Sequence, residues 1–149
     1  MNRYYEVKAR SEKTMEDGMQ KKVKETYLFD AMSFSEAEAR AVEELAPFAT
    51  GEFVVTDIKR AGYTEPFPSD APEADKWYAV RINFITLDER SGKEKKTKAE
   101  YLVQAAEINH ARTSFIEGMK GTLADYEIVS IKETPILDVY TYVEEGGNQ

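Results

Sequence analysis

The chain repeats itself, and the repeat limits every fold it can adopt. Tyr4-Tyr5-Glu6-Val7-Lys8 returns as Trp77-Tyr78-Ala79-Val80-Arg81 at an offset of 73 residues. One extra residue in the second turn moves the offset to 74, at which Lys21, Lys22 and Lys24 fall on Lys95, Lys96 and Lys98. At the same offset Tyr27 and Leu28 meet Tyr101 and Leu102, Ala37 meets Ala111, Val42 meets Ile116 and Leu45 meets Met119. A one-residue deletion then restores 73, so that Phe53, Val55 and Ile58 meet Tyr126, Ile128 and Ile131. The matches keep their order from end to end, and the shifts fall where loops are predicted.

Each copy reads as strand, turn, strand, helix, strand. Tyr5, Val7 and Ala9 alternate with Glu6, Lys8 and Arg10, the period of a half-buried strand. Tyr78, Val80, Ile82 and Phe84 do the same in the second copy, and Asp17-Gly18 and Ser91-Gly92 mark the turns. Ser35 and Asn109 are the expected helix N-caps, each preceded by an apolar residue, with Glu38 completing a capping box in the first copy. Ala37, Ala41, Val42 and Leu45 share one predicted helix face, as do Ala111, Phe115, Ile116 and Met119. Pro47 and Gly121 end the two helices. The sequence therefore predicts an α+β protein, a tandem duplication of a ββαβ unit. Residues 1–61 form the first repeat, 62–76 a proline-rich linker, 77–143 the second repeat and 144–149 a flexible tail. A three-stranded sheet with one helix is small to stand alone, so the copies are expected to pack as one pseudo-twofold domain with helices on one side of the sheet or sheets.

Composition bounds the function classes. With 42% hydrophobic residues the chain can bury a core, and no apolar run approaches the roughly eighteen residues of a membrane helix. The start of the sequence lacks an apolar signal stretch, and there is no cysteine, which excludes disulfides and thiolate chemistry. A cytoplasmic protein without membrane partners is the expectation. The formal charge of −8 hides an asymmetry. Residues 1–26 hold seven basic and five acidic side chains, a balance of +2, and residues 76–98 hold seven and three, a balance of +4. The remainder carries −14.

The basic hairpins carry the candidate site. Tyr4, Lys8, Trp77 and Arg81 stand in the outward phase of their strands, close to Lys21, Lys22, Lys24, Lys95, Lys96 and Lys98. Aromatics interleaved with cations on a sheet suit single-stranded nucleic acid, because bases stack on the rings and phosphates meet the lysines. The plainer account is that hairpin lysines block edge-to-edge sheet pairing and that the aromatics are packed under a loop. The alternative function is an acidic adaptor or inhibitor that engages a basic protein partner.

Other signals carry less chemistry. His110 is the only histidine, falls in the first helical turn, and reads as a solvated residue rather than a metal ligand. Gly118-Met119-Lys120-Gly121 has the letters of the GxxG loop of KH domains, but its counterpart Glu44-Leu45-Ala46-Pro47 has no glycine, so it reads as a helix end. Glu36, Glu38, Glu43 and Glu44 read as a solvated acidic helix face. No Walker loop, dinucleotide fingerprint or nucleophile elbow is present. The expectation is a non-enzymatic binding protein without cofactor or metal.

Two paired signatures resemble a known family. The first is Glu16-Asp17-Gly18-Met19-Gln20-Lys21-Lys22 followed by Ser33-Phe34-Ser35-Glu36-Ala37-Glu38-Ala39-Arg40. The second is Glu117-Gly118-Met119-Lys120-Gly121-Thr122 followed by Asp125-Tyr126-Glu127-Ile128-Val129-Ser130-Ile131-Lys132. Together they resemble an uncharacterised family of short bacterial and phage proteins, a domain of unknown function. The resemblance covers nearly the whole chain and implies a mobile-element or phage connection. It supplies no activity, cofactor or functional residue.

Overall fold

Alternating apolar residues place one face of a long hairpin against a helix, and the chain does this twice. A computed structural model describes residues 3–141 and divides into two units. Unit 1 joins the chain up to Ala61 with the residues from Pro135 onward, and unit 2 runs from Gly62 to Thr134. The expected tail and the last two residues of the expected second repeat lie outside the described residues.

Unit 1 contains β1 (Arg3–Thr14), β2 (Gln20–Ala31), α1 (Phe34–Leu45), a 3-10 turn (Ala46–Phe48) and β3 (Phe53–Ala61). Unit 2 contains β4 (Pro66–Phe67), β5 (Lys76–Leu87), β6 (Glu94–Ala105), α2 (Ile108–Gly118) and β7 (Asp125–Glu133). The strand after β7, β8 (Ile136–Tyr140), belongs to unit 1. The protein is thus α+β, with two mostly antiparallel four-stranded sheets ordered β3-β1-β2-β8 and β4-β6-β5-β7.

The registers of the two sheets run in step. A β-bulge follows Lys8 in the β1–β3 pairing and Arg81 in the β5–β7 pairing. Each sheet also gains one parallel edge strand. Leu28 and Phe29 pair with Val139 and Tyr140 in unit 1, and Leu102 and Val103 pair with Pro66 and Phe67 in unit 2. Neither edge strand is visible in the periodicity. The proline-rich segment 62–76 contributes β4, where Pro66 is tolerated because an edge strand can do without one N–H donor.

Each core lies between a helix and one face of its own sheet. In unit 1 Tyr5, Val7, Phe29, Ala31, Ala37, Ala41 and Leu45 are buried together. In unit 2 the cluster is Tyr78, Val80, Ile82, Tyr101, Val103, Ala105, Ala111, Phe115 and Met119. The helices bury a narrower stripe than their sequences predict. Successive buried positions are four residues apart, and Val42 and Ile116, one step off that line, are 45% and 43% exposed. The expectation that they are core residues is corrected accordingly.

The helix caps lie two residues before the expected Ser35 and Asn109. Ser33 caps α1 by accepting from the Glu36 N–H at 3.1 Å, while the Glu36 carboxylate accepts from the Met32 N–H at 3.0 Å. Glu36, not Glu38, therefore closes the reciprocal cap. Glu107 caps α2, accepting from the N–H groups of Asn109 at 3.0 Å and His110 at 2.6 Å. His110 Nδ1 accepts from the Ala106 N–H at 3.0 Å and so does for α2 what Glu36 does for α1. The lone histidine is a capping residue.

Candidate functional site

The hairpin residues proposed from sequence do not share one face. Strand alternation puts Tyr4, Lys8, Lys22 and Lys24 on the side of their sheet opposite α1. Trp77, Arg81, Lys96 and Lys98 lie on the side opposite α2. Lys21 and Lys95 fall in the helix-side phase, because they pair with Lys13 and Thr86. Trp77 keeps the outward phase but is only 3% exposed, so its ring is not open to a base, and the expectation that it stacks on one is corrected. At that end of the sheet the second face is buried too, as Leu102 at 0% shows. Tyr4 is half-buried.

Carboxylates stand among the cations. Lys96 meets Glu127 at 2.9 Å, which raises the lysine pKa, and Glu127 is held low by Asn83 and then by Lys96. Arg81 approaches Glu100 at 3.8 Å. Lys8, Lys21, Lys22, Lys24, Lys95 and Lys98 are exposed and form no ion pair among the described residues.

A more built site lies inside unit 1, where the sheet extends past the end of α1. A cavity of about 350 Å³ opens there. Ser11, Lys13, Glu25 and Tyr27 form its floor, Leu45 and Phe48 its roof, and Phe53, Leu137, Asp138 and Tyr140 its sides. All four strands of the sheet contribute. The volume is at the lower end of small-molecule sites, roughly 300–1,000 Å³.

Strand register explains the space. Ser11 stands opposite Val23 and Phe53, and Phe84 stands opposite Thr97 and Tyr126 at the matching place in unit 2. Ala9 and Glu25 likewise occupy the places of Ile82 and Ala99. Ala41 lies as far beyond its cap Ser33 as Phe115 lies beyond Glu107. In unit 2 the Phe115 ring fills the interior, with centroids 5.8 Å from Phe67, 5.3 Å from Tyr101 and 5.8 Å from Tyr126. Unit 1 has smaller or polar residues at these places.

The floor of the cavity is a polar network. Lys13 donates to both oxygens of Glu25 at 2.8 and 3.0 Å, and the Tyr27 hydroxyl donates to the same carboxylate at 3.1 Å. Burial, followed by the charge and hydrogen bond of Glu25, holds the Tyr27 phenol well above its ordinary range. Tyr140 is raised by burial and then by Asp138 and Glu44. Both phenols therefore stay protonated to higher pH than an ordinary tyrosine. The sequence reading did not single out this network. Its signal was available, since Lys13 follows Val7, Ala9 and Ser11 in the inward phase, and Glu25 precedes Tyr27 and Phe29.

Unit 2 has a broader groove of about 670 Å³ between the Glu65–Asp70 segment and α2. Phe67 packs against Gly118 so closely that a Cβ there would stand 2.9 Å from the ring. Gly121 takes a φ of +89° just past the helix. The two glycines of the GxxG pattern therefore serve close packing and the helix exit. No cluster of three or more His, Cys, Asp or Glu suited to a metal is found among the described residues, and none of their helices is long and apolar enough to cross a membrane.

A search of curated proteins finds no match to this sequence. A family model described as a domain of unknown function, DUF4494, matches residues 3–142. That match spans nearly the whole chain, and the protein belongs to the DUF4494 family.

Proposed function

We propose that the protein is a non-enzymatic binding protein whose ligand enters the cavity of unit 1. The observation that carries this reading is the contrast in filling. Ser11 stands where unit 2 has Phe84 and lines a cavity of about 350 Å³ with a polar network at its floor, while Ala9 and Ala41, in the places of Ile82 and Phe115, are buried in the core of unit 1. The hollow opens to solvent beside Phe48, which is 73% exposed, and is large enough to seat a small molecule between apolar and polar groups. The test is a small-molecule screen read by amide chemical shifts. Changes confined to residues around Ser11, Glu25, Phe53 and Tyr140 would support the reading. A screen at millimolar concentration that moves none of them would reject it.

Single-stranded nucleic acid is the second reading, favoured by the six exposed lysines that form no ion pair among the described residues. With Trp77 buried, stacking is left to the half-buried Tyr4 and the reading rests mainly on phosphate contacts, so binding should fall steeply with salt. Lys22→Glu with Lys24→Glu should abolish a low-salt mobility shift in that case. Retention of the shift in the double variant would remove these lysines from the account.

We also infer that the two units descend from a tandem duplication of one ββαβ unit. Supporting this are the ordered sequence matches, the bulges after Lys8 and Arg81, and the paired edge strands.

A further inference from the structure

We propose that the ligand of the unit 1 cavity is a small organic cation, an ammonium or amidinium group carried on an apolar ring. This rests on the reading of that cavity as the binding site and adds the class of ligand. Four aromatic rings line the space, those of Tyr27, Phe48, Phe53 and Tyr140. Aromatic faces carry negative potential and attract cations, more strongly where water is excluded. The charged groups of the lining are Lys13, Glu25 and Asp138, which leaves one negative charge in excess.

Lys13 and Glu25 cancel, because Glu25 holds the ammonium through both oxygens, at 2.8 and 3.0 Å, so the excess lies on Asp138. The Tyr27 hydroxyl spends its proton on Glu25 and so presents lone pairs to the cavity. Asp138 accepts from its neighbour Val139 N–H through one oxygen, at 2.8 Å. Its second oxygen is the natural partner for a donor. Glu44 adds negative potential at Tyr140, where it helps to raise the phenol pKa.

The mouth of the cavity suits the apolar part of such a ligand. Phe48 is 73% exposed and Leu137 is 49% exposed. Both line the cavity, and a ring seated between them would cover apolar surface that water now meets. A carboxylate or phosphate would find Asp138 and Glu25 in place of an unspent cation.

Three probes of one shape separate the possibilities: benzylammonium, benzyl alcohol and benzoate, titrated at millimolar concentration and followed by amide chemical shifts. Benzylammonium should bind best and benzoate worst, with shifts centred on Ser11, Phe53 and Tyr140. Asp138→Asn should weaken benzylammonium by about fivefold, the order of one exposed ion pair, and leave benzyl alcohol unchanged. Ser11→Phe should remove binding of all three by filling the space. Equal or tighter binding of the alcohol or the benzoate would overturn the cationic class while leaving the cavity as a site. No shift with any probe, or shifts that persist in a folded Ser11→Phe protein, would overturn the cavity itself.

Discussion

Units 1 and 2 use one strand order and one set of registers to reach different interiors. Unit 2 sets Phe84, Phe115, Tyr126 and Phe67 against one another beneath its helix, and the result is a closed apolar core. Unit 1 keeps the outer part of that core, Phe29 stacked on Tyr140 at 4.7 Å, and opens the part beyond α1. The backbone registers tolerate both fillings. A scaffold whose strand pairing is fixed by bulge and hairpin can vary its inward side chains without changing topology, and binding capacity can then arise in one unit while the other supplies stability.

The comparison breaks most readily at Phe115. Phe115→Ala should destabilise the protein by about 3–5 kcal/mol, the range for truncating a fully buried aromatic. Chemical denaturation measures this, and a loss below about 1 kcal/mol would mean that unit 2 is not the tightly filled partner. The opposite change in unit 1 has the opposite sign. Ser11→Phe places a ring where space exists and should stabilise by about 0.5–2 kcal/mol, as cavity-filling changes do. A lower melting temperature in that variant would show that the space is already taken up by rearranged side chains.

The polar floor gives a finer test. The folded pKa of Tyr27 lies above its ordinary value of 10.0, so the native state holds this proton more tightly than the unfolded chain does. Stability linked to Tyr27 is complete below pH 10.0 and is lost as the pH rises from there toward the folded value. Tyr27→Phe should cost about 1 kcal/mol at neutral pH through the lost bond to Glu25, and should flatten the alkaline decline. An unchanged decline would assign it to Tyr78, Tyr101 and Tyr140, which are also raised by burial first. The smallest effect is expected at Val42. Because its side chain is 45% exposed, Val42→Asp should stay within about 0.5 kcal/mol of the parent protein. Global unfolding of that variant would restore Val42 to the core.

Much of this architecture can be read from residue spacing, and the failures have physical causes. The period of two in Tyr5, Val7 and Ala9 gives a strand whatever its neighbours do, and the hairpins hold Gly18 and Gly92 at positive φ. The caps are ambiguous in the residue pattern. Ser33-Phe34-Ser35 offers two hydroxyls, and Asn109 is by type a stronger cap than Glu107, which caps through its longer carboxylate. β4 and β8 escape periodicity because they are short and are held by pairing with a strand distant in sequence. Trp77 misleads because alternation identifies one buried face and says nothing of burial on the other. The cavity leaves only a faint mark, two charged residues in the inward phase, since Lys13 and Glu25 read as surface residues until the helix above them is seen to end at Leu45.

The edge strand β8 also sets the order in which a ribosome can complete the molecule. Every strand of the unit 2 sheet has been synthesised by Glu133, whereas the unit 1 sheet waits for Ile136–Tyr140. The unit that begins first is therefore finished last. Until then the edge of β2 from Thr26 to Phe29 is an unpaired template that invites pairing with other chains. The same five residues bring Leu137, Asp138 and Tyr140 to the cavity, so a nascent or truncated chain that lacks them has an exposed edge and an unfinished pocket together.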